Sequence, residues 1–102
     1  MLVLNQPNSV ATIITNQYKP FLDVDPTEFA SKHIDFKLPT FQEEDLCQLC
    51  QLTQQSVSDD PIVLNLTSPI VIVGDLHGQI LDLFRILRKF GIPNNTKYLF
   101  LG

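Results

Sequence analysis

Five stretches of the chain have a readable pattern of apolar and polar positions, four of them in its second half. Ile70-Val71-Ile72-Val73 is an apolar run rich in β-branched side chains, bounded by Pro69 and Gly74. It predicts a short strand over 70–73, buried on both faces as in a parallel sheet. Ile62-Val63-Leu64-Asn65-Leu66 reads as another strand, with Thr67-Ser68-Pro69 as the tight turn between the two. Beyond Gln79, the pairs Ile80-Leu81, Leu83-Phe84 and Ile86-Leu87, followed by Phe90, recur with helical spacing. Asp82, Arg85, Arg88 and Lys89 fall between them, so a helix is predicted over 80–90. Gly91 suits the position just past its end, and Pro93 prevents continuation. Asn94-Asn95-Thr96 then turns the chain into a strand over 97–101. Strand, helix, strand in that order requires a right-handed crossover and two parallel strands.

Upstream, Thr40-Phe41-Gln42-Glu43 has the form of a capping box, and Glu43-Glu44-Asp45 load the first turn with charge that suits a helix N-terminus. Leu46, Leu49, Cys50, Thr53 and Val57 give a one-sided apolar stripe, predicting a helix over 41–57 that Asp59-Asp60-Pro61 breaks. Asp25-Pro26-Thr27-Glu28 is a second helix-start signal, for a short helix reaching about His33. Val10 to Ile14 is compatible with a strand or a helix fragment, and periodicity does not decide between them.

Composition narrows the class. With 102 residues, 44% of them hydrophobic and 18% charged, the chain has the make-up of one modest globular core, with no room for two domains. Net charge is −4, unevenly spread. Residues 1–69 carry 3 basic and 9 acidic side chains, and residues 70–102 carry 4 basic and 2 acidic. Neither part has the basic stripe of a nucleic-acid binder, so no nucleic-acid partner is expected. No apolar run reaches transmembrane length, and no membrane association is expected. Met1-Leu2-Val3-Leu4 lacks the basic start of a secretory signal, so a cytoplasmic or nuclear location is expected. Phosphate-loop nucleotide binding is excluded, because G-x-x-x-x-G-K-[ST] is absent.

The candidate chemistry lies just past the strand at 70–73. Asp75 and His77 stand between Gly74 and Gly78, at the carboxyl end of that strand, where ligands of open α/β sheets sit. A hard carboxylate oxygen and a neutral imidazole suit Fe, Mn or Zn. Flanking glycines let backbone approach an ion closely. Cys47 and Cys50 form a C-x-x-C inside the predicted helix, without further ligands at zinc spacing, and are expected to pack in a core. Asp23-Val24-Asp25 lacks the glycine and terminal glutamate of a calcium loop. His33 is expected at the surface, without a role. Arg85 and Arg88 are expected on a solvated helix face.

Gly74-Asp75-Leu76-His77-Gly78-Gln79 resembles the first signature of the phosphoprotein phosphatase (PPP) family of Ser/Thr protein phosphatases, within the calcineurin-like metallophosphoesterases. Tyr98-Leu99-Phe100-Leu101-Gly102 resembles the opening of that family's second signature, G-D-x-V-D-R-G, at the expected distance. The order helix, strand, turn, strand also resembles the lead-in to the catalytic core of type-1 and type-2A phosphatases. The resemblance covers about residues 38–102, and 1–37 form an N-terminal extension of unknown role.

The resemblance implies an α/β fold, the N-terminal part of a metallophosphoesterase β-sandwich flanked by helices. It implies that Asp75 and His77 are ligands of the first of two divalent metal ions (Mn, Fe or Zn), with Gly74 and Gly78 shaping the loop. The implied reaction is hydrolysis of phosphoserine and phosphothreonine in proteins by a hydroxide that both ions activate. Regulatory subunits are possible further partners. The family's bridging Asp and phosphate-clamping Arg would follow Gly102, and its G-N-H-E motif and later histidines are not in these residues. No catalytic residue is therefore expected within the chain, which should be inactive by itself, bind metal weakly, and lack cover for one sheet face. Two alternatives stand beside this: a short non-catalytic relative acting by binding, or another metallophosphoesterase such as a nucleotide polyphosphatase. The lead-in at 40–69 favours a protein phosphatase over the latter.

Overall fold

The computed structural model describes residues 9–31 and 37–102. It is a mixed α/β structure with the order α1 (Val10–Leu22), α2 (Pro26–Ser31), α3 (Glu43–Ser58), β1 (Val71–Val73), α4 (Ile80–Phe90) and β2 (Tyr98–Phe100). These elements fall into two compact units, one drawing on residues within 1–19 and 37–65, the other on residues within 20–36 and 66–102.

In the first unit, the ambiguous stretch from Val10 is helical. Ser9 Oγ accepts the Ala11 N–H at 3.2 Å, the side-chain cap that settles the choice. Val10, Ala11 and Ile14 are buried on the inner face of α1. Tyr18 and Phe41 meet with ring centroids 5.9 Å apart. The helix after Phe41 starts at Glu43, two residues later than the capping-box spacing suggests. Gln42 is its N-cap and makes no side-chain cap bond, so the box does not form. Glu43, Glu44 and Asp45 remain in the first turn, where they complement the helix dipole. No residue of α3 is buried. The predicted apolar stripe therefore lies open, with Leu46 and Val57 exposed. Cys47 and Cys50 are exposed free thiols rather than core residues.

The predicted strand over 62–66 is not formed. Ile62, Val63, Leu64 and Leu66 are all exposed, Ile62 completely. A strand exists only through a ladder, and no described residue pairs with this stretch.

The second unit carries a two-stranded parallel sheet, with Val71 opposite Tyr98, Ile72 opposite Leu99 and Val73 opposite Phe100. The ladder continues at both ends: Val71 N–H donates to Lys97 O at 2.9 Å and Leu101 N–H to Val73 O at 3.0 Å. The sheet is not covered on both sides as the apolar run predicts. Val73 is 4% exposed, whereas Ile72, pointing the other way, is 60% exposed, and Leu101 on that same face is exposed too; Phe100, opposite Val73, is partly open at the edge of the first face. Leu99, opposite Ile72 on that second face, is half-buried.

The covered side is built around Phe84 of α4, which is 3% exposed. Its ring stacks on Phe21 at 5.6 Å and 16°, and Phe21 in turn meets Phe29 at 6.4 Å. Pro26 is fully buried at the start of α2. Asp25 caps that helix as the sequence predicts, its Oδ1 accepting the Thr27 N–H at 3.0 Å. The backbone and side-chain hydrogen bonds from Thr27 hold the Asp25 carboxyl below the ordinary carboxylate value. The predicted extension of this helix to His33 lies outside the described residues, as does His33 itself. Arg88 reaches the carbonyl of Leu22 at 3.1 Å, satisfying an acceptor left open at the end of α1.

The exit from α4 is a tight corner. Gly91 has φ 100° and ψ 166°, and its N–H donates to Leu87 O. Thr96 Oγ1 donates to Phe90 O at 2.5 Å, and the Tyr98 hydroxyl donates to Gly91 O. Partial burial pushes the Tyr98 phenol above its usual value.

Candidate metal-binding loop

Local sequence explains how the loop is placed. β1 stops at Gly74, and α4 begins at Ile80. The intervening residues turn at Leu76–Gln79, where Gln79 N–H donates to Leu76 O at 2.9 Å. Gln79 O then accepts from Asp82 and Leu83 at 3.1 and 3.2 Å, which starts the helix. His77 and Gly78 both have positive φ, 50° and 72°. Glycine takes that conformation freely, but a β-carbon-bearing residue does so only where local contacts hold it. Asp75 supplies that contact: its Oδ1 accepts the His77 N–H at 3.1 Å. At Gly74 an added Cβ would meet nothing within 4 Å.

This turn brings the two candidate ligands together. Asp75 Oδ2 lies 2.5 Å from His77 Nε2, and the two side chains are 60% and 78% exposed. The carboxylate and the imidazole are paired with each other at a solvent-accessible point, so an ion would have to replace that contact; the residue types themselves suit part of the coordination shell of Mn, Fe or Zn. Among the described residues, no group of three or more His, Cys, Asp or Glu side chains is placed to hold a metal. The residues present therefore fit two positions of a metal site and no more.

A shallow cleft of about 280 Å³ opens over the loop, lined by Gly74, Asp75, Leu76, His77, Gly78, Phe100 and Gly102. Phe100 and Gly102 are not candidates by residue type. Parallel pairing puts the ends of β1 and β2 at the same sheet edge, and that topology is the signal by which they could have been found. Arg85 and Arg88 are exposed, as expected, but each is engaged. Arg85 pairs with Asp82 at 2.6 Å, and Arg88 holds Leu22 O. Cys47 and Cys50 lie on α3, in the first unit.

Over 70 residues the chain is 41% identical to the serine/threonine-protein phosphatase PP2A-like PPG1 of Candida albicans. The match covers 68% of this chain and 17% of the relative. The chain therefore spans about a sixth of the length of that relative. The similarity supports the phosphoprotein phosphatase family. It does not separate the type-1 from the type-2A branch. No family model matches the chain, and no solved structure matches it significantly. No described helix is long and apolar enough to cross a membrane.

Proposed function

We propose that residues 38–102 are the opening part of a protein serine/threonine phosphatase domain of the metallophosphoesterase type, related to the type-1 and type-2A enzymes. In this reading Asp75 and His77 are two ligands of one of two divalent ions, and the remaining ligands and the general acid come from residues outside these 102. The observation that carries it is the placement of Asp75 and His77 side by side in one turn at the carboxyl edge of a parallel sheet. The 41% identity to a Ser/Thr phosphatase supports the same reading over a nucleotide polyphosphatase.

Each residue has a definite task. Asp75 turns Oδ2 to the His77 ring and Oδ1 to the His77 backbone N–H, shaping the loop, and its carboxylate would bind an ion by giving up the ring contact. His77 offers Nε2 from a backbone conformation that turns its ring back toward Asp75. Gly78 completes the turn. A bound ion pair would supply Lewis-acid stabilisation of the phosphoryl group and lower the pKa of a bound water. The substrates are phosphoserine and phosphothreonine proteins, and regulatory subunits are further candidate partners.

The 102-residue chain itself should not turn over substrate, since two donors cannot hold two ions. Incubation with Mn²⁺ and a phosphoserine peptide tests this. The expected result is no phosphate release above background. Turnover that vanishes in Asp75→Asn would overturn the claim that further ligands are needed. Full turnover by a longer chain carrying Asp75→Asn would overturn the ligand assignment.

A further inference from the structure

We infer that residues 20–31 brace α4 and, through it, hold the Gly74–Gln79 loop in the geometry that pairs Asp75 with His77. Phe21, Pro26 and Arg88 are then positioning residues for the candidate site. The functional meaning of this inference rests on the metal-site reading above, whereas its geometry does not.

The loop has two anchors. One is Val73, buried and held at the end of β1 by the ladder bond its carbonyl accepts from Leu101 N–H. The other is the first turn of α4, tied to Gln79 O by the N–H groups of Asp82 and Leu83. Between these anchors the Asp75 and His77 side chains are mostly exposed and touch chiefly each other. Few contacts of its own hold such a segment, so its conformation follows its ends. Whatever sets the position of α4 therefore sets the position of Gln79 and Leu76.

Residues 20–31 set it at two places. Phe84 is seated by the Phe21 ring at 5.6 Å, beside the buried Pro26. Arg88 bonds the Leu22 carbonyl at 3.1 Å. Phe84 and Arg88 are four residues apart, neighbours on the helix surface. Two contacts one turn apart fix both the rotation of a helix and its axial position, which a single contact does not. α4 has only 11 residues, about 16 Å, so a tilt at its middle reaches its first turn undiminished.

The test uses the full 102-residue chain at low concentration, without metal, with two readouts. Hydrogen exchange in α4 reports packing, and the amide and ring NMR signals of His77 report the loop. In Phe21→Ala, exchange in α4 should rise about tenfold or more, and the His77 signals should move toward those of Asp75→Asn, in which the pairing is lost. Phe21→Tyr, which keeps the ring, should restore both. Arg88→Met keeps the aliphatic stem and removes the donor, and should shift the His77 signals with a smaller change in exchange. Faster exchange in α4 with unmoved His77 signals would overturn the inference, leaving a core contact only. If Phe21→Ala unfolds the unit, Arg88→Met decides in the same way: unmoved His77 signals overturn it. Adding Mn²⁺ afterwards separates the two claims. Failure of Mn²⁺ to broaden the wild-type His77 signals sinks the metal reading and leaves the coupling result intact.

Discussion

Replacing Gly91 with alanine should be among the more damaging single-methyl changes in this chain. Gly91 sits at φ 100° and ψ 166°, a region that residues with a β-carbon essentially avoid. The added Cβ would lie 2.7 Å from Thr96 Oγ1, well inside contact distance. Thr96 is β-branched and stiff, and its hydroxyl donates to Phe90 O at 2.5 Å, so it yields only by giving up that bond. Backbone strain costs roughly 1–3 kcal/mol and the lost hydrogen bond about 0.5–1.5 kcal/mol, while the stiffer unfolded chain returns about 0.4–1 kcal/mol. The net expectation is a loss of about 0.5–4 kcal/mol, against a typical domain stability of about 5–15 kcal/mol. Urea unfolding followed by circular dichroism measures it. A double-mutant cycle with Thr96→Ala separates the two causes, because removing Oγ1 relieves the clash and leaves the strain. Gly91→Ala should therefore cost less in the Thr96→Ala background, though still measurably. A loss below about 0.5 kcal/mol, the range of ordinary surface changes, would refute the reasoning.

Two further outcomes follow from the same structure. Asp25 should titrate below 3.8 in the folded chain, since the Thr27 hydrogen bonds favour its charged form. Its folded value lies below its unfolded one, so its contribution to stability is complete above the unfolded pKa and is lost as pH falls through the folded one. An NMR midpoint at or above 3.8 would contradict this. Ile72 and Leu101 lie exposed on the second sheet face, and an apolar strand face of this kind is prone to association. Sedimentation should show concentration-dependent self-association that Ile72→Lys reduces, and a wild-type chain that stays monomeric over the same range would argue against it.

The elements with a strong local signal were legible in the sequence. The paired apolar residues of α4 and the Gly91 stop define its observed bounds, Ile80–Phe90, because both depend on neighbours three and four residues apart. The parallel pairing of β1 with β2 follows from the single helix between them. Asp25-Pro26 announces α2 by capping chemistry alone. The strand and the stripe were misread for one cause, which is dependence on distant partners; the capping box failed locally. Ile62 to Leu66 has the composition of a strand but no strand beside it. The stripe on α3 has helical spacing but no cover, so Cys50 and Leu46 are exposed. Thr40 and Glu43 have the spacing of a capping box, yet the helix opens at Glu43 itself. In the candidate site, Asp75 and His77 stand out by residue type, whereas Phe100 reaches the cleft only through strand register. The Phe21–Phe84 stack spans more than sixty residues of sequence, and no local pattern announces it.

The central claim is that Asp75 and His77 together bind a divalent ion, and titration of the chain with Mn²⁺, read by paramagnetic broadening of its NMR signals, tests it most directly. The account predicts broadening centred on Gly74–Gly78, of weak affinity because only two side chains donate, and abolished by Asp75→Asn. Broadening that is absent from this loop, that persists unchanged in Asp75→Asn, or that marks a tight site elsewhere on the chain would contradict it.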